Sequence, residues 1–234
     1  MRRVAFLIAW LFLASLAGTA QAAGRPVVVE LYTSQGCSSC VAADALLADL
    51  ADKPGVLALT LAVGYWDYLG WPDTFAKPEF AERQRVYLRH ASVREAYTPQ
   101  IVIDGRYQEA AVDPDKIERL VSRAEAQKSR SPAMRIIRRS HVRIGPGRAP
   151  RGGADIWLVR YDPADQEVTV RRGENRGQTL VQKNVVRQLV RLGVWRGRDA
   201  TYPIPDAPKG GETLKTCILL QASDGGRILG VAQR

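Results

Sequence analysis

The sequence predicts an α/β N-terminal half followed by a mostly-β, sandwich-like C-terminal half. Three observations carry this. Residues 27–63 read as strand, helix, strand, the pattern of a parallel βαβ unit. Beyond residue 133 helical periodicity fades and short strand patterns alternate with turn residues. Charge divides the same way: residues 23–127 hold 11 Lys and Arg against 15 Asp and Glu, whereas residues 128–200 hold 17 against 6. The expected organisation is a targeting segment over 1–22, a first domain over 23–127 and a mostly-β domain over 133–234.

The elements follow in order. Val27 to Val29 is apolar and β-branched and runs into Glu30-Leu31-Tyr32, a short strand. After the loop Thr33-Ser34-Gln35-Gly36, the residues Ala43, Leu46, Leu47 and Leu50 fall at i, i+3, i+4 and i+7, one face of a helix. Asp52-Lys53-Pro54-Gly55 stops it. Val56 to Val63 is almost continuously apolar, as a strand buried on both faces is. Pro78 opens a second helix, with Phe80, Gln84, Tyr87, Leu88 and Ala91 along one side. Asp104-Gly105 between two β-rich runs signals a hairpin. Asp113-Pro114 caps a third helix that buries Ile117, Leu120, Val121 and Ala124. The segment from Gln127 to Pro132 reads as a linker. In the second half, 156–161, 167–171, 216–221 and 228–232 are strand candidates, and 184–192 is the one stretch with weak helical periodicity.

The first residues read as an export signal. Arg2 and Arg3 precede an apolar core from Val4 to Ala17, and Ala20-Gln21-Ala22 offers small residues for cleavage before Ala23. Read through Ala23, the same run is an uncleaved anchor instead. Cleavage takes away two Arg, lowering the formal charge from the +10 of the whole chain to +8. The expected location is the periplasm or the extracellular medium, by a cleavable signal peptide.

Three cysteines carry the chemistry. Gly36-Cys37-Ser38-Ser39-Cys40 sits between the first strand and the first helix. Two cysteines one helical turn apart reach the ~5.5 Å Cα separation that a disulfide needs. With Cys37 at the helix N-terminus, free N–H groups and the dipole stabilise its thiolate, which makes it the attacking sulfur and Cys40 the resolving one. A Cys-X-X-Cys inside a βαβ unit reads as a thioredoxin-like redox motif. Two alternatives stay open: a structural disulfide, and a metal site, although only Cys217, His90 and His141 remain as further ligands and their spacing matches no zinc module. The redox reading implies no metal and no cofactor.

The stretch Glu30-Leu31-Tyr32-Thr33-Ser34-Gln35-Gly36-Cys37-Ser38-Ser39-Cys40, then Ala43-Asp44-Ala45-Leu46-Leu47, resembles the signature of a secreted bacterial thioredoxin-like family known only as a domain of unknown function. Tyr65 to Trp71, Tyr97-Thr98-Pro99-Gln100 and Arg172-Gly173-Glu174-Asn175 extend the resemblance across the mature chain. It implies a thioredoxin-like fold and export, and no particular substrate. The chain departs from the family pattern at Val41-Ala42, where two prolines are usual, and at Ala62 and Gly64, where a His and an Asp are common.

The same likeness implies a cis bond between Thr98 and Pro99 beside the dithiol, leaving the backbone there free to pair with an extended substrate strand. It also points to Glu30 as a buried acid able to take the proton of Cys40, the alternative being an exposed strand-end carboxylate. Tyr65 and Trp66, with Tyr68 and Trp71, should emerge at the carboxyl end of the second strand, either as a substrate groove or as packing for a loop, with Asp67 capping the turn. Cys217 reads as a buried inert thiol. The basic second half suits an anionic envelope surface or a merely solvated face. It lacks the regular aromatic interleaving of a nucleic-acid platform, and with export arguing the same way no nucleic-acid partner is expected. The expected function is an exported thiol–disulfide oxidoreductase with a protein thiol or disulfide as client. Its rival is a non-enzymatic envelope scaffold. The oligomeric state is not encoded legibly.

Overall fold

The computed structural model describes residues 24–89, 93, 95–127, 130–210 and 213–234. The expected signal peptide, His90 and part of the expected linker lie outside the described residues.

The first half builds β1 (Val27–Thr33), α1 (Cys40–Ala51), β2 (Val56–Ala62), α2 (Pro78–Leu88), β3 (Gln100–Ile103), β4 (Tyr107–Ala110) and α3 (Pro114–Ala126). β1 and β2 run parallel, while β3 and β4 follow antiparallel on the other side of β1. The local signals act as the chemistry dictates. Pro78 and Pro114 sit in the first turns of their helices, and the Asp113 side chain accepts the Lys116 N–H at 3.0 Å. Asp104 and Gly105 both adopt positive φ in the β3–β4 turn.

The second half supplies β5 (Met134–Ile137), β6 (His141–Ile144), β7 (Ala154–Asp162), β8 (Gln166–Thr169), β9 (Thr179–Gln182), β10 (Val185–Trp195), β11 (Ala200–Pro203), β12 (Lys215–Ala222) and β13 (Ile228–Gln233). Among the described residues the result is an α/β molecule with one large mixed sheet of eight strands, in the order β13-β12-β7-β10-β2-β1-β3-β4, and three α-helices. The long strands of the second half therefore extend the sheet of the first, rather than pairing into a sandwich of their own. β10 is the joint. It lies parallel to β2 and antiparallel to β7, and Asn184 just before it donates to the Ala58 carbonyl at 2.9 Å.

β10 corrects the weak helical reading of 184–192. Register shifts between Val186 and Gln188, and between Arg191 and Gly193, insert bulges that break the period-two alternation. The β-branched Val185, Val186, Val190 and Val194 favour a strand. β5, β6, β9 and β11 are too short or too polar to register as sequence patterns.

The two faces of the sheet are covered differently. Val28 and Tyr32 of β1, with Leu57, Leu59 and Leu61 of β2, pack against Phe80 and Tyr87 of α2. Val27, Val29 and Leu31 pack against α1 and α3 through Ala43, Leu47, Leu50 and Ile117. Full burial of each such Leu or Ile is worth about 1.5–3 kcal/mol. Further along the α1 side, the three-stranded sheet β11-β6-β5 covers β7, β12 and β13 through Val142, Ile144, Ile156, Leu158 and Ile218. At one end of the large sheet its two edges approach: Ile228 N–H donates to Asp104 O at 2.9 Å, and Arg25 bridges the Asp104 carboxylate to the Ile228 carbonyl.

Candidate active site around the Cys37–Cys40 disulfide

β1 ends at Thr33, and the chain turns through Ser34, Gln35 and Gly36 before the dithiol. Cys37 and Cys40 are joined, with Cα atoms 5.4 Å apart. The helix starts later than the sequence suggests. Its first residue is Cys40 and its cap position is Ser39, so Cys37 lies in the turn ahead of α1. That turn is closed by Cys37 N–H donating to Ser34 O at 3.1 Å and Cys40 N–H donating to Cys37 O at 3.2 Å. Both cysteines are 1% exposed, whereas Ser38 and Ser39 between them face solvent. The Cys37 sulfur lies 3.4 Å from Ser39 Oγ.

Part of what holds the dithiol turn comes from the other half of the sequence. The loop between β8 and β9 folds over the start of α1. Asn175, fully buried, donates through Nδ2 to Gln35 O at 3.0 Å and Cys37 O at 3.1 Å. Glu174 accepts the Ser38 N–H at 3.0 Å, and its carboxyl is held below the usual range by the Ser38 side chain and backbone. Gln35 is a second hub. Its N–H donates to Asp73 Oδ2 at 2.7 Å, its Nε2 to Thr74 Oγ1, and its Oε1 accepts Trp71 Nε1 at 2.9 Å. Burial raises the Asp73 carboxyl, an effect its bonds from Gln35 and Phe75 partly offset.

The expected substrate-side residues are gathered here in part. Thr98–Pro99 is cis. Trp66 donates through Nε1 to Thr98 Oγ1 at 2.7 Å and packs on Gly36, beside Cys37; a Cβ added at Gly36 would meet Trp66 Cβ at 3.1 Å. Tyr68, 77% exposed, stacks on Trp66 with ring centroids 6.4 Å apart. Tyr65 instead packs onto the α2-side core. Asp67 caps its turn by accepting the Asp73 N–H at 3.0 Å.

Glu30 is buried, yet it is not with the dithiol. It shares a side of β1 with Val28 and Tyr32, facing α2, whereas α1 lies against Val29 and Leu31 on the opposite face. Arg83 binds both its oxygens, Nε to Oε1 at 2.6 Å and the guanidinium again to Oε2 at 3.2 Å, and the Tyr87 hydroxyl donates to Oε2 at 2.5 Å. A proton from Cys40 has no direct route to it. The alternation of side chains across a strand is the physical reason.

The buried acid on the α1 face is Asp44, to which the sequence pattern assigns no role at the dithiol. It follows Cys40 by four positions, one turn on along the same helix face. Burial pushes its carboxyl up to about 8, moderated by Thr33 and Gln182 and reinforced by Asp73. Gln182 of β9 donates to its Oδ2 at 3.4 Å. Gln182 has no local pattern to announce it, and Glu174 and Asn175 enter only through the resemblance at residues 172–175, which assigns them no place; all three reach the site from some 140 residues away.

Cys217 is free and fully buried in β12, three strands away from β2 in the sheet order; burial raises its thiol well above the ordinary value. His141 is exposed at the start of β6 in the small sheet. Among the described residues no group of three or more His, Cys, Asp or Glu could hold a metal ion, and no helix is long and apolar enough to cross a membrane.

Fold and site together define an α/β protein in which a Cys-X-X-Cys disulfide closes the entry to the first helix beneath a loop from the second half. The chain belongs to the family described as "Protein of unknown function (DUF1223)", which matches residues 28–221. It is similar to a protein of Agrobacterium tumefaciens known from a crystal structure, at 29% identity and a TM-score of 0.72, over 90% of this chain and 94% of that one. HBP35 of Porphyromonas gingivalis is similar in fold, with a TM-score of 0.60 at 9% identity, over 90% of this chain and 75% of that one. None of the curated proteins compared with the chain matches it.

Proposed function

We propose that this protein is an exported thiol–disulfide oxidoreductase acting on protein clients through Cys37 and Cys40. The observation that carries the reading is the closed Cys37–Cys40 pair at the entry to α1, linked through Gly36, Trp66 and Thr98 to a cis Pro99. The strand order β2-β1-β3-β4, with α1 and α3 on one face and α2 on the other, supports a thioredoxin-like arrangement for residues 27–126. Export rests on the basic, apolar and small-residue succession of residues 2–22. Exposed Arg135, Arg138, Arg139, Arg148 and Arg151 favour contact with an anionic envelope surface.

The exchange balances as follows. A client thiolate attacks Cys37 Sγ and breaks the Cys37–Cys40 bond, and Cys40 leaves as a thiolate that takes up a proton. The client's second thiol, losing its proton, then attacks the client sulfur of the mixed disulfide and releases Cys37. The client loses two electrons and two protons, and the protein's pair gains them. The reverse sequence reduces a client disulfide. Asp44, protonated at neutral pH and one turn from Cys40, is a proton source for the leaving thiolate. Trp66 and exposed Tyr68 offer an aromatic shelf for an extended client segment near Thr98-Pro99.

A second reading, a scaffold whose disulfide is a staple, is favoured by the near-complete burial of both cysteines in a turn that the β8–β9 loop bonds. The two readings part on trapping. Cys40→Ser should accumulate mixed disulfides with clients in the native envelope, and Cys37→Ser few. Equal, slow alkylation of both reduced sulfurs together with no trapped client would reject the oxidoreductase.

A further inference from the structure

We infer that Glu174, carried by the β8–β9 loop, is a positioning residue that biases the Cys37–Cys40 couple toward the disulfide. The inference deepens the redox reading of that pair and rests on it. Reduction of the disulfide takes up two electrons and two protons to give two thiols, and Cys37 then releases one proton to solvent as it becomes a thiolate. The groups able to stabilise that thiolate are the backbone N–H groups at the entry to α1. One of them, Ser38 N–H, already donates to the Glu174 carboxylate at 3.0 Å.

Glu174 therefore acts twice in the same direction. In the oxidised protein it makes a charge-assisted bond to the turn that carries the disulfide. In the reduced protein it keeps a negative charge on the turn that carries Cys37 and competes with the thiolate for the Ser38 N–H. The Glu174 side chain is exposed to solvent, and its place beside the turn is set by the loop: its neighbour Asn175 is fully buried and donates to Gln35 O and Cys37 O. The other charges around the dithiol are Asp44 on α1, Asp67 and Asp73 in the segment after β2, and Arg171, Arg172 and Arg176 in the loop itself; the three arginines are exposed to solvent. Among the described residues, Glu174 is the acid whose side chain accepts an N–H of the Cys37–Cys40 turn.

The test compares the wild type with Glu174→Gln and Glu174→Asp. Thiolate absorbance near 240 nm gives the acid constant of Cys37, and equilibration with dithiothreitol buffers above neutral pH gives the potential. Glu174→Gln should strengthen Cys37 as an acid by roughly threefold. It should raise the equilibrium constant for reduction by a similar factor, about 14 mV at 29.6 mV per decade. Glu174→Asp should fall between the two, and 1 M salt should shrink the difference. A reversible couple whose acid constant and potential are unchanged in Glu174→Gln overturns the role of Glu174 and leaves the oxidoreductase standing. A potential below about −300 mV in both proteins, with the threefold shift intact, upholds Glu174 and counts instead against exchange as the function.

Discussion

Asn175 donates through Nδ2 to the carbonyl oxygen of Cys37 at 3.1 Å, across 138 positions of sequence. One amide thus makes the conformation of the dithiol turn depend on a loop of the second half. Asn175→Ala should leave the Gln35 and Cys37 carbonyls without this donor, at a cost of about 1–3 kcal/mol. In a chain of this size that lowers the melting temperature by roughly 2–4 °C for each kcal/mol. The same substitution should raise the alkylation rate of Cys37 in the reduced protein, because the loop over it loses its anchor. Calorimetry and timed alkylation with mass spectrometry check the two halves of the prediction. A stability loss with no gain in Cys37 reactivity would separate the loop from the site.

Asp44 gives a pH signature of defined sign. Its carboxyl is pushed up to about 8 in the folded protein, chiefly by burial, against roughly 3.9 in an unfolded chain. Between those values the folded state holds a proton that the unfolded state has lost. Stability from this group is therefore fully present below about pH 4 and falls as pH rises toward 8, by at most about 1.4 kcal/mol per unit. Asp44→Asn stays neutral and should flatten that decline, gaining on the wild type as pH rises. Urea unfolding at pH 5, 7 and 9 reads it. Parallel curves for the two proteins would show that Asp44 ionises freely.

The shared sheet predicts cooperative unfolding. β10 lies between β2 of the first half and β7 of the second, and Arg25, Asp104 and Ile228 tie the sheet's edges together at one end. Neither half can shed β10 without exposing the edge of the other. Thermal unfolding followed by calorimetry and by tryptophan fluorescence should give one coincident transition. Two separated transitions would restore the division that the charge distribution suggests.

Much of this architecture was legible because the responsible forces are local. The face Ala43, Leu46, Leu47, Leu50, the first-turn proline Pro78 and the cap-and-proline pair Asp113-Pro114 announce their helices, and Asp104-Gly105 announces its hairpin. β10 was not legible as a strand because its two bulges erase the alternation that defines one. The dithiol was legible from spacing, and Trp66, Thr98 and Pro99 were expected beside it, but the groups that hold its turn were not assigned to it. Asn175, Glu174 and Gln182 reach it through tertiary contacts alone, and Asp44 hides in a helical face whose burial depends on β9. Glu30 shows a subtler failure: the resemblance points to a buried acid there, with an exposed carboxylate as the alternative, and which side of the sheet it faces depends on where α1 and α2 dock.

That placement makes the last prediction. Glu30, Arg83 and Tyr87 form a buried ionic cluster on the α2 side, with the Arg83 guanidinium also lying 5.0 Å from the centroid of Trp157. Removing the carboxylate strands a buried cation, for which the cost is about 3–5 kcal/mol. Glu30→Gln should therefore destabilise the protein severely, while Tyr87→Phe, which takes away one bond to the carboxylate, should cost about 1.5–3 kcal/mol. Neither should alter the order or the pH dependence with which Cys37 and Cys40 are alkylated, because the cluster lies across the sheet from α1. Asp44→Asn should alter that pH dependence instead. The measurement is the alkylation rate of each cysteine between pH 6 and 10 at a temperature where every variant is folded. A change in the Cys40 profile in Tyr87→Phe, which leaves Glu30 and Arg83 in place, would mean that the charge of Glu30 reaches the dithiol through the sheet. An unchanged profile in Tyr87→Phe together with a shifted one in Asp44→Asn assigns the buried acid of this site to Asp44.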